Sequence, residues 1–374
     1  MTELLDRTDV DDFLRGANFL SCCGGGDPAV QRELLYDDLD RGLTVGWVDL
    51  DPDPAVLSCT ACFSGSIAPD AFVEPPEMAV LAPGTERIRR PLADAVVELE
   101  QYLGRDIGLL VSTEIGGINT GAILDAAANL GKPLADGDYA GRAIPELNAT
   151  TPQIFGAPFV PWAFADQYGN RAVIREAATN AFAERLGKFL AQAVFGLIGT
   201  ALVPVSAAEA GRMLVPGTLT ECLELGRAIR VAREEGRDPV RAAADALGGW
   251  VLFRGTLTSR EWKDQEGYMV GTHEITGDGE HAGRVLRIWF KNENHMSWLD
   301  DRPFVCSPDI MEVCDAETGE PQVNTYLSEG QRVAVVGRKR REQFDTETGL
   351  ATLGPKHFGW DVEFTPIEDL VRSM

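Results

Sequence analysis

Histidine is scarce in this chain: four in 374 residues, at 273, 281, 295 and 357, all in the last third. That scarcity weakens any zinc reading of Cys59-Thr60-Ala61-Cys62. The spacing suits redox or zinc chemistry, but zinc needs two further ligands. No second C-x-x-C and no close Cys/His pair supplies them. Seven cysteines make an odd number, and no secretion signal accompanies them. Free thiols in a reducing cytoplasm are expected, as small core residues. Positive charge is also short, with 34 basic residues against 58 acidic ones and a formal charge of −24. Such a field repels nucleic acid and anionic membrane surfaces. The one strong basic cluster, Arg338-Lys339-Arg340-Arg341, reads as a solvated strand end or loop.

Long apolar runs are equally rare. Met1 to Arg7 is acidic and has no apolar core, so no signal peptide is expected. Phe189 to Ala208 carries no charge, but Gln192, Gly196, Gly199, Thr200, Pro204 and Ser206 interrupt it. It reads as a buried helix, a turn and a second helix start, not as a membrane span. A cytoplasmic protein acting on a small molecule is the expectation. A homo-oligomer stays open.

What the chain does have is a glycine-rich acidic stretch. Thr113-Glu114-Ile115-Gly116-Gly117-Ile118-Asn119 is followed by Asp136-Gly137-Asp138 and Gly141-Arg142-Ala143-Ile144-Pro145-Glu146. Four carboxylates, an amide and an arginine thus stand among glycines. Glycine allows close backbone approach, and carboxylates can move protons, orient water or bind a metal. Ordinary turn chemistry uses the same residues.

The pattern along the chain predicts a helix over 8–20, then Cys22-Cys23-Gly24-Gly25-Gly26-Asp27-Pro28, then a helix from Pro28 to about Arg41. The glycines therefore precede a helix N-terminus, where free N–H groups can hold an anion or a carbonyl oxygen. No Gly-Lys-Ser/Thr follows, so this is not a nucleotide-binding phosphate loop. Strands are expected at 44–50, 56–63 and 107–112, and helices at 92–103 and 121–130. Strands alternating with helices indicate an α/β layer. The Glu114 loop then lies at a strand end, where α/β sheets bind ligands. Residues 1–165 form the expected N-terminal α/β domain. Residues 166–374 form a C-terminal domain, helical over 170–247 and a β sandwich or barrel over 250–374.

These motifs resemble the DUF917 family, the S-methyl thiohydantoin desulfurase-like or hydantoinase-associated proteins. The likeness runs from the glycine-run-Asp-Pro opening (Leu20 to Pro28) through Glu114 to Asn119 and Asp136 to Glu146. It continues in Phe290-Lys291-Asn292-Glu293-Asn294, Ser307-Pro308-Asp309-Ile310, Thr318-Gly319-Glu320 and Gly354 to Gly359. The resemblance implies two domains and chemistry on small cyclic amides, imides or thiohydantoins. A desulfurase of this kind would hydrolyse an S-methyl thiohydantoin to a hydantoin and methanethiol. The chain departs from the family pattern at Ser21 and Cys23, where glycine is usual, and at Cys59 to Phe63. It departs again at His295, where an aliphatic residue is common.

Water attack on such a ring needs a base, a stabiliser of developing charge and a proton donor. Asp138 or Glu114 is expected as the base. Asn119, Arg142 and the N–H groups of Gly24 to Gly26 are expected to stabilise charge. Asp136 would orient Arg142 or bind a ring N–H, unless Arg142 pairs with Glu146. Cys22, beside a helix N-terminus, is the alternative nucleophile. Gly24, Gly25, Gly26, Asp27, Gly116, Gly117, Asp136, Arg142, Glu146, Asn292 and Asn294 are the expected substrate contacts. Glu114, Asp136 and Asp138 could together hold Mg²⁺, Mn²⁺ or Ca²⁺, so metal and cofactor are left open. A polar turn around Asn292 and a structural role for His357 are the blander expectations. A non-catalytic ligand-binding subunit of a hydantoinase-type system is the competing class.

Overall fold

The structure is a computed structural model that describes residues 1–67, 76–194 and 196–372. A short ribbon pairs β1 (Thr2–Glu3) with β2 (Gly46–Trp47). Helix α1 (Arg7–Phe19) starts where the Asp6 side chain accepts from the Asp9 N–H, and α2 (Ala29–Asp40) follows the glycine run. Then come β3 (Leu57–Ser64), α3 (Met78–Leu81), α4 (Pro91–Leu103), β4 (Leu109–Ser112), α5 (Gly117–Leu130) and β5 (Leu134–Asp138). Helices α4 and α5 each end on a left-handed glycine, Gly104 and Gly131. After α6 (Thr151–Ile154) the chain adds the hairpin β6 (Trp162–Ala165) and β7 (Arg171–Ile174). Next are α7 (Asn180–Ala193), β8 (Ile198–Ser206), α8 (Ala207–Met213), β9 (Val215–Pro216), α9 (Thr218–Glu234) and α10 (Pro239–Ala246).

The first large sheet has seven strands in the order β7-β6-β8-β3-β4-β5-β9. Its centre, β3-β4-β5, is parallel, and the other pairings are antiparallel. The run Phe189 to Ala208 therefore differs from the expected helix pair. It holds the end of α7, the whole of β8 and the start of α8, which Ser206 caps. Phe195, within that run, lies outside the described residues. A short uncharged run fits a buried helix or a central strand equally well, and sheet neighbours on both sides decide it here. The expected helical stretch 170–247 thus also contributes β7, β8 and β9 to the first sheet.

The C-terminal part is one curled antiparallel sheet, a half-barrel rather than a sandwich. Its order is β14 (Arg302–Cys306), β13 (Glu293–Leu299), β12 (Val285–Lys291), β11 (Tyr268–Gly277), β10 (Trp250–Gln265), β16 (Arg332–Arg338) and β15 (Ile310–Asp315). The main core is continuous across the two sheets, since Ile310, Cys314, Ala334 and Val336 pack with Phe13, Leu99 and Ile123. Helices α1 and α9 cross so closely that a Cβ on Gly226 would lie 1.7 Å from the Asp12 carbonyl. Only glycine fits that crossing. No helix among the described residues is long and apolar enough to cross a membrane.

Candidate functional site

The glycine run and the start of α5 are packed backbone against backbone. A Cβ on Gly25 would meet the Gly116 Cα at 2.6 Å, and one on Gly117 would meet the Gly26 carbonyl at 2.6 Å. The Ile118 N–H donates to the Gly25 carbonyl (2.9 Å). From the other side, the N–H groups of Asn294 and Asn324 donate to the Cys22 and Cys23 carbonyls, both at 2.8 Å. The run is thus the joint between the two sheets. Cys22 and Cys23 take left-handed backbone there, φ 50° and 64°, where a glycine would be unstrained.

At this joint lies a pocket of about 70 Å³. One water needs roughly 10–15 Å³, so the space suits a small molecule. Its walls are the carboxyl end of β3, the start of α5, the Ile144–Leu147 segment, one face of α7 and the β12–β13 turn. Phe63, Ile67, Ile118 and Leu197 also border a wider cleft.

Glu114, Asn119, Gly24, Gly25, Glu146 and Asn292 all line this pocket, as do Glu184, Lys188 and Glu293. Glu114 is held at both oxygens. Asn119 Nδ2 donates to Oε1 (2.6 Å), and the Ile144 N–H donates to Oε2 (2.7 Å). Burial raises its pKa, and these two donors oppose the rise. The Asn119 Oδ1 accepts from the Phe63 N–H (2.7 Å), which fixes the amide with one Nδ2 proton on Glu114 and leaves the second Nδ2 proton for a ligand. It also orients Glu114.

Glu293 is 2% exposed and stands where β13 begins. Its Oε2 has no hydrogen-bond partner. Burial pushes its pKa well up, and the charge of Glu114 pushes it further. Lys188 is half-buried on α7, with its Nζ 4.4 Å from the Tyr268 ring centroid. Burial lowers its pKa, while Glu184, Glu146 and Glu293 oppose that. Glu184 accepts from the Leu147 and Asn148 N–H groups (2.8 and 3.0 Å), and burial lifts its pKa to about 7. Burial would raise Glu146 too, but His357 Nε2 at 2.9 Å and Lys291 Nζ at 3.2 Å more than offset it and hold its pKa at about 2. His357 is therefore the residue that fixes the Glu146 rim.

The other expected residues lie elsewhere. Asp138 accepts from the Ala140 and Gly141 N–H groups (2.9 and 2.6 Å) outside the pocket lining. Burial brings its pKa to about 7. Asp136 does not orient Arg142. It accepts from the Leu219 and Thr220 N–H groups at the start of α9, both at 3.1 Å. Arg142 pairs with neither Asp136 nor Glu146. Its guanidinium donates to the carbonyls of Ala143 (3.0 Å), Asp309 (3.2 Å) and Asn294 (2.9 Å). Those carbonyls leave it off the pocket wall, because it is the pin joining the halves.

Asp27 accepts from the Ala29 N–H (3.0 Å) and, with Gly26, lines the wider cleft, while Gly116 and Gly117 serve the loop packing. The Asn294 side chain is buried, with Nδ2 donating to Cys23 Sγ and to the Met311 carbonyl, both at 3.3 Å. Asn292 has positive φ (59°), and its Oδ1 accepts from the Met269 N–H (2.9 Å). Cys22 is buried off the pocket lining, and burial pushes its thiol up to about 11, the reverse of an activated thiolate.

Glu114, Asp136 and Asp138 do not converge on a shared ion. Among the described residues, no three of the His, Cys, Asp and Glu side chains are grouped to hold a metal. Cys59 and Cys62 sit three apart on β3, so they face opposite sides of the sheet and pack in different cores. All seven cysteines are free and buried.

Lys188 and Glu184 join the site without a sequence expectation, and Glu293 joins it from within the Asn292-to-Asn294 element that the sequence singles out. Glu184 and Lys188 look like a solvent-facing i,i+4 pair. The signal was Gly187 between them, where a Cβ would meet the Trp162 ring at 2.7 Å and so turns that helix face inward.

The fold is shared with the crystal structure of a protein from Chromobacterium violaceum. The two are 22% identical, with a TM-score of 0.78 over 98% of this chain and 100% of that one. A search of the curated proteins gives no match. The description "S-Me-THD-like, N-terminal domain" matches residues 8–176, and "S-Me-THD-like, C-terminal domain" matches residues 178–367. With both domains matched in order along nearly its whole length, the chain belongs to the S-Me-THD-like family.

Proposed function

We propose that this protein hydrolyses a small cyclic amide of the hydantoin type, with an S-methyl thiohydantoin as the first substrate to test. Family membership suggests a role in hydantoin-related metabolism. The observation that carries the hydrolytic reading is the contrast between two buried carboxyls lining one pocket. Glu114 accepts two N–H bonds that favour its charged form, whereas Glu293 has an oxygen without a partner. Burial and the charge of Glu114 both push the Glu293 carboxyl up, which favours keeping the proton on Glu293. The charged member is then Glu114 and the protonated one Glu293.

Glu114 takes a proton from water as its oxygen bonds to the ring carbon that carries sulfur or oxygen. The Lys188 ammonium faces the ring atom that receives the electron pair. Glu293 then gives its proton to the leaving atom as the ring carbon's bond to it breaks. From an S-methyl thiohydantoin the products are methanethiol and a hydantoin.

The test is loss of ring absorbance across hydantoins, thiohydantoins and S-methyl thiohydantoins, with wild type, Glu114→Gln and Glu293→Gln. Wild type should turn over at least one class, and each variant should lose about 10²-fold or more; Glu293→Gln should keep its melting temperature, and Glu114→Gln, which sets an NH2 against one buried N–H donor, should stay folded with a lower one. Ligand-induced stabilisation without product in wild type would overturn hydrolysis and favour a ligand-binding subunit.

A further inference from the structure

Glu293 and His295 are two apart on β13, and His295 is the extra residue of a bulge, standing between Asn294, opposite Phe290, and Met296, opposite Trp289. Both are buried. Glu293 Oε2 and His295 Nε2 each lack a hydrogen-bond partner, and they face one another at 3.8 Å. Two orphaned polar atoms aimed at each other inside a protein call for a reason, because leaving either unpaired is costly. The distance is about 1 Å too long for a hydrogen bond, and either a small closure or one bridging water completes it.

The other ring nitrogen indicates which tautomer is present. His295 Nδ1 is 3.2 Å from Ser307 Oγ. The Ser307 hydroxyl has one proton to give, either to Nδ1 or to the His295 carbonyl at 3.3 Å. That carbonyl accepts the Ser307 N–H at 2.8 Å on one lone pair, and of the hydroxyl's two contacts the one to Nδ1 is the shorter. With the hydroxyl proton on Nδ1, the neutral ring carries its own proton on Nε2, facing Glu293. Phe358, stacked on the imidazole at 3.9 Å between centroids, holds the ring plane in place.

We propose that His295 is a positioning residue whose Nε2–H receives the charge that Glu293 develops as it gives up its proton, with Ser307 fixing the tautomer. The step rests on the hydrolytic reading above and balances simply. The Glu293 O–H bond breaks, the proton goes to the leaving atom, and the electron pair stays on the carboxylate. Nε2–H then closes on Oε2. The charged and titratable groups around the pair are Glu114, Arg142 and Lys188 for Glu293, and Arg142, Lys291 and His357 for His295. Arg142 stays tied to its three carbonyls, which leaves His295 as the adjustable donor. An aliphatic residue at 295 would leave the new carboxylate with no donor on this side.

Nitrogen-15 NMR of the ring nitrogens in the full-length protein tests the tautomer without any substrate. The four histidines give few signals, and loss of one set in His295→Gln identifies His295. The expected result is a protonated Nε2 and an unprotonated Nδ1, with the Nε2 shift moving in Glu293→Gln. A proton on Nδ1, or a shift blind to Glu293→Gln, would overturn the pairing. In kinetics, His295→Leu should lower kcat about tenfold or more with KM unchanged, and His295→Gln, which keeps an N–H donor, should recover part of it. Equal activity of the Leu and Gln variants would also overturn it. If NMR gives the expected tautomer but wild type turns over no substrate, the hydrolytic reading falls and the pair stands. The reverse pattern removes the pair and leaves the hydrolase.

Discussion

Replacing Gly24 by alanine should damage the site far more than the fold. Gly24 does not use positive φ, so alanine is tolerated by the backbone itself. The new Cβ would lie 2.4 Å from Glu293 Oε1 and 2.5 Å from its Cδ and Cγ. Ordinary contact begins near 3.4 Å, so the carboxyl must retreat about 1 Å. The carboxyl's other oxygen, Oε2, has a 3.8 Å gap to His295 Nε2. A retreat of about 1 Å in that direction brings the two atoms to hydrogen-bond distance. The gap therefore absorbs the clash, and the cost should sit at the low end of the overpacking range, about 1 kcal/mol. For a chain of this size that is a fall of roughly 1–3 °C in melting temperature. Glu293 would then be drawn from the pocket, and turnover should fall about 10²-fold, the scale of losing a general acid. Calorimetry and the ring-absorbance assay, run on one preparation, read both quantities. A variant that unfolds, or one that keeps full turnover, would refute the reasoning.

Asp136→Ala removes the cap of α9 and should cost about 1–2 kcal/mol in denaturant unfolding, with kcat unchanged. Asp138→Asn should keep turnover. Its folded pKa, raised by burial to about 7, exceeds the unfolded value near 3.8. Its favourable share of stability is therefore complete below about pH 4 and disappears as pH rises through about 7. Wild type should lose stability across that window in urea unfolding series, and Asp138→Asn should lose less. Lys188→Met should lower kcat by about 10²–10³ if the ammonium meets developing charge, as measured in the same absorbance assay.

Much of the first half was readable because its signals are local. Periodicity and caps marked α1, α2, α4 and α5, and glycine density marked the joint where Gly25 meets Gly116. Glu114 and Asn119, five residues apart across the start of α5, were found by the same density. Roles set by distant partners were not readable. Asp136 bonds to Thr220, and Arg142 bonds to carbonyls more than 150 residues away. Nothing near either residue in sequence reveals those choices. Lys188 and Glu184 were hidden because an i,i+4 charged pair looks solvated until Trp162 closes over Gly187. Strand β8 was hidden because its neighbours, β3 and β6, are supplied by earlier segments.

That placement of β8 bears on how the chain can be divided and in what order it can fold. The two family domains meet between residues 176 and 178, yet β8, at Ile198–Ser206, lies between β6 and β3 in the first sheet. A fragment ending at the family boundary would leave the β6–β7 hairpin with no strand to join it to β3. During synthesis, the exposed edges of β3 and β6 must wait until residue 206 has emerged, and unpaired edges are open to wrong partners meanwhile. The first sheet is thus completed across the boundary between the two family domains. The later domain contributes the strand that closes the earlier one, so a chain cut at the boundary separates β6 and β7 from the rest of their sheet.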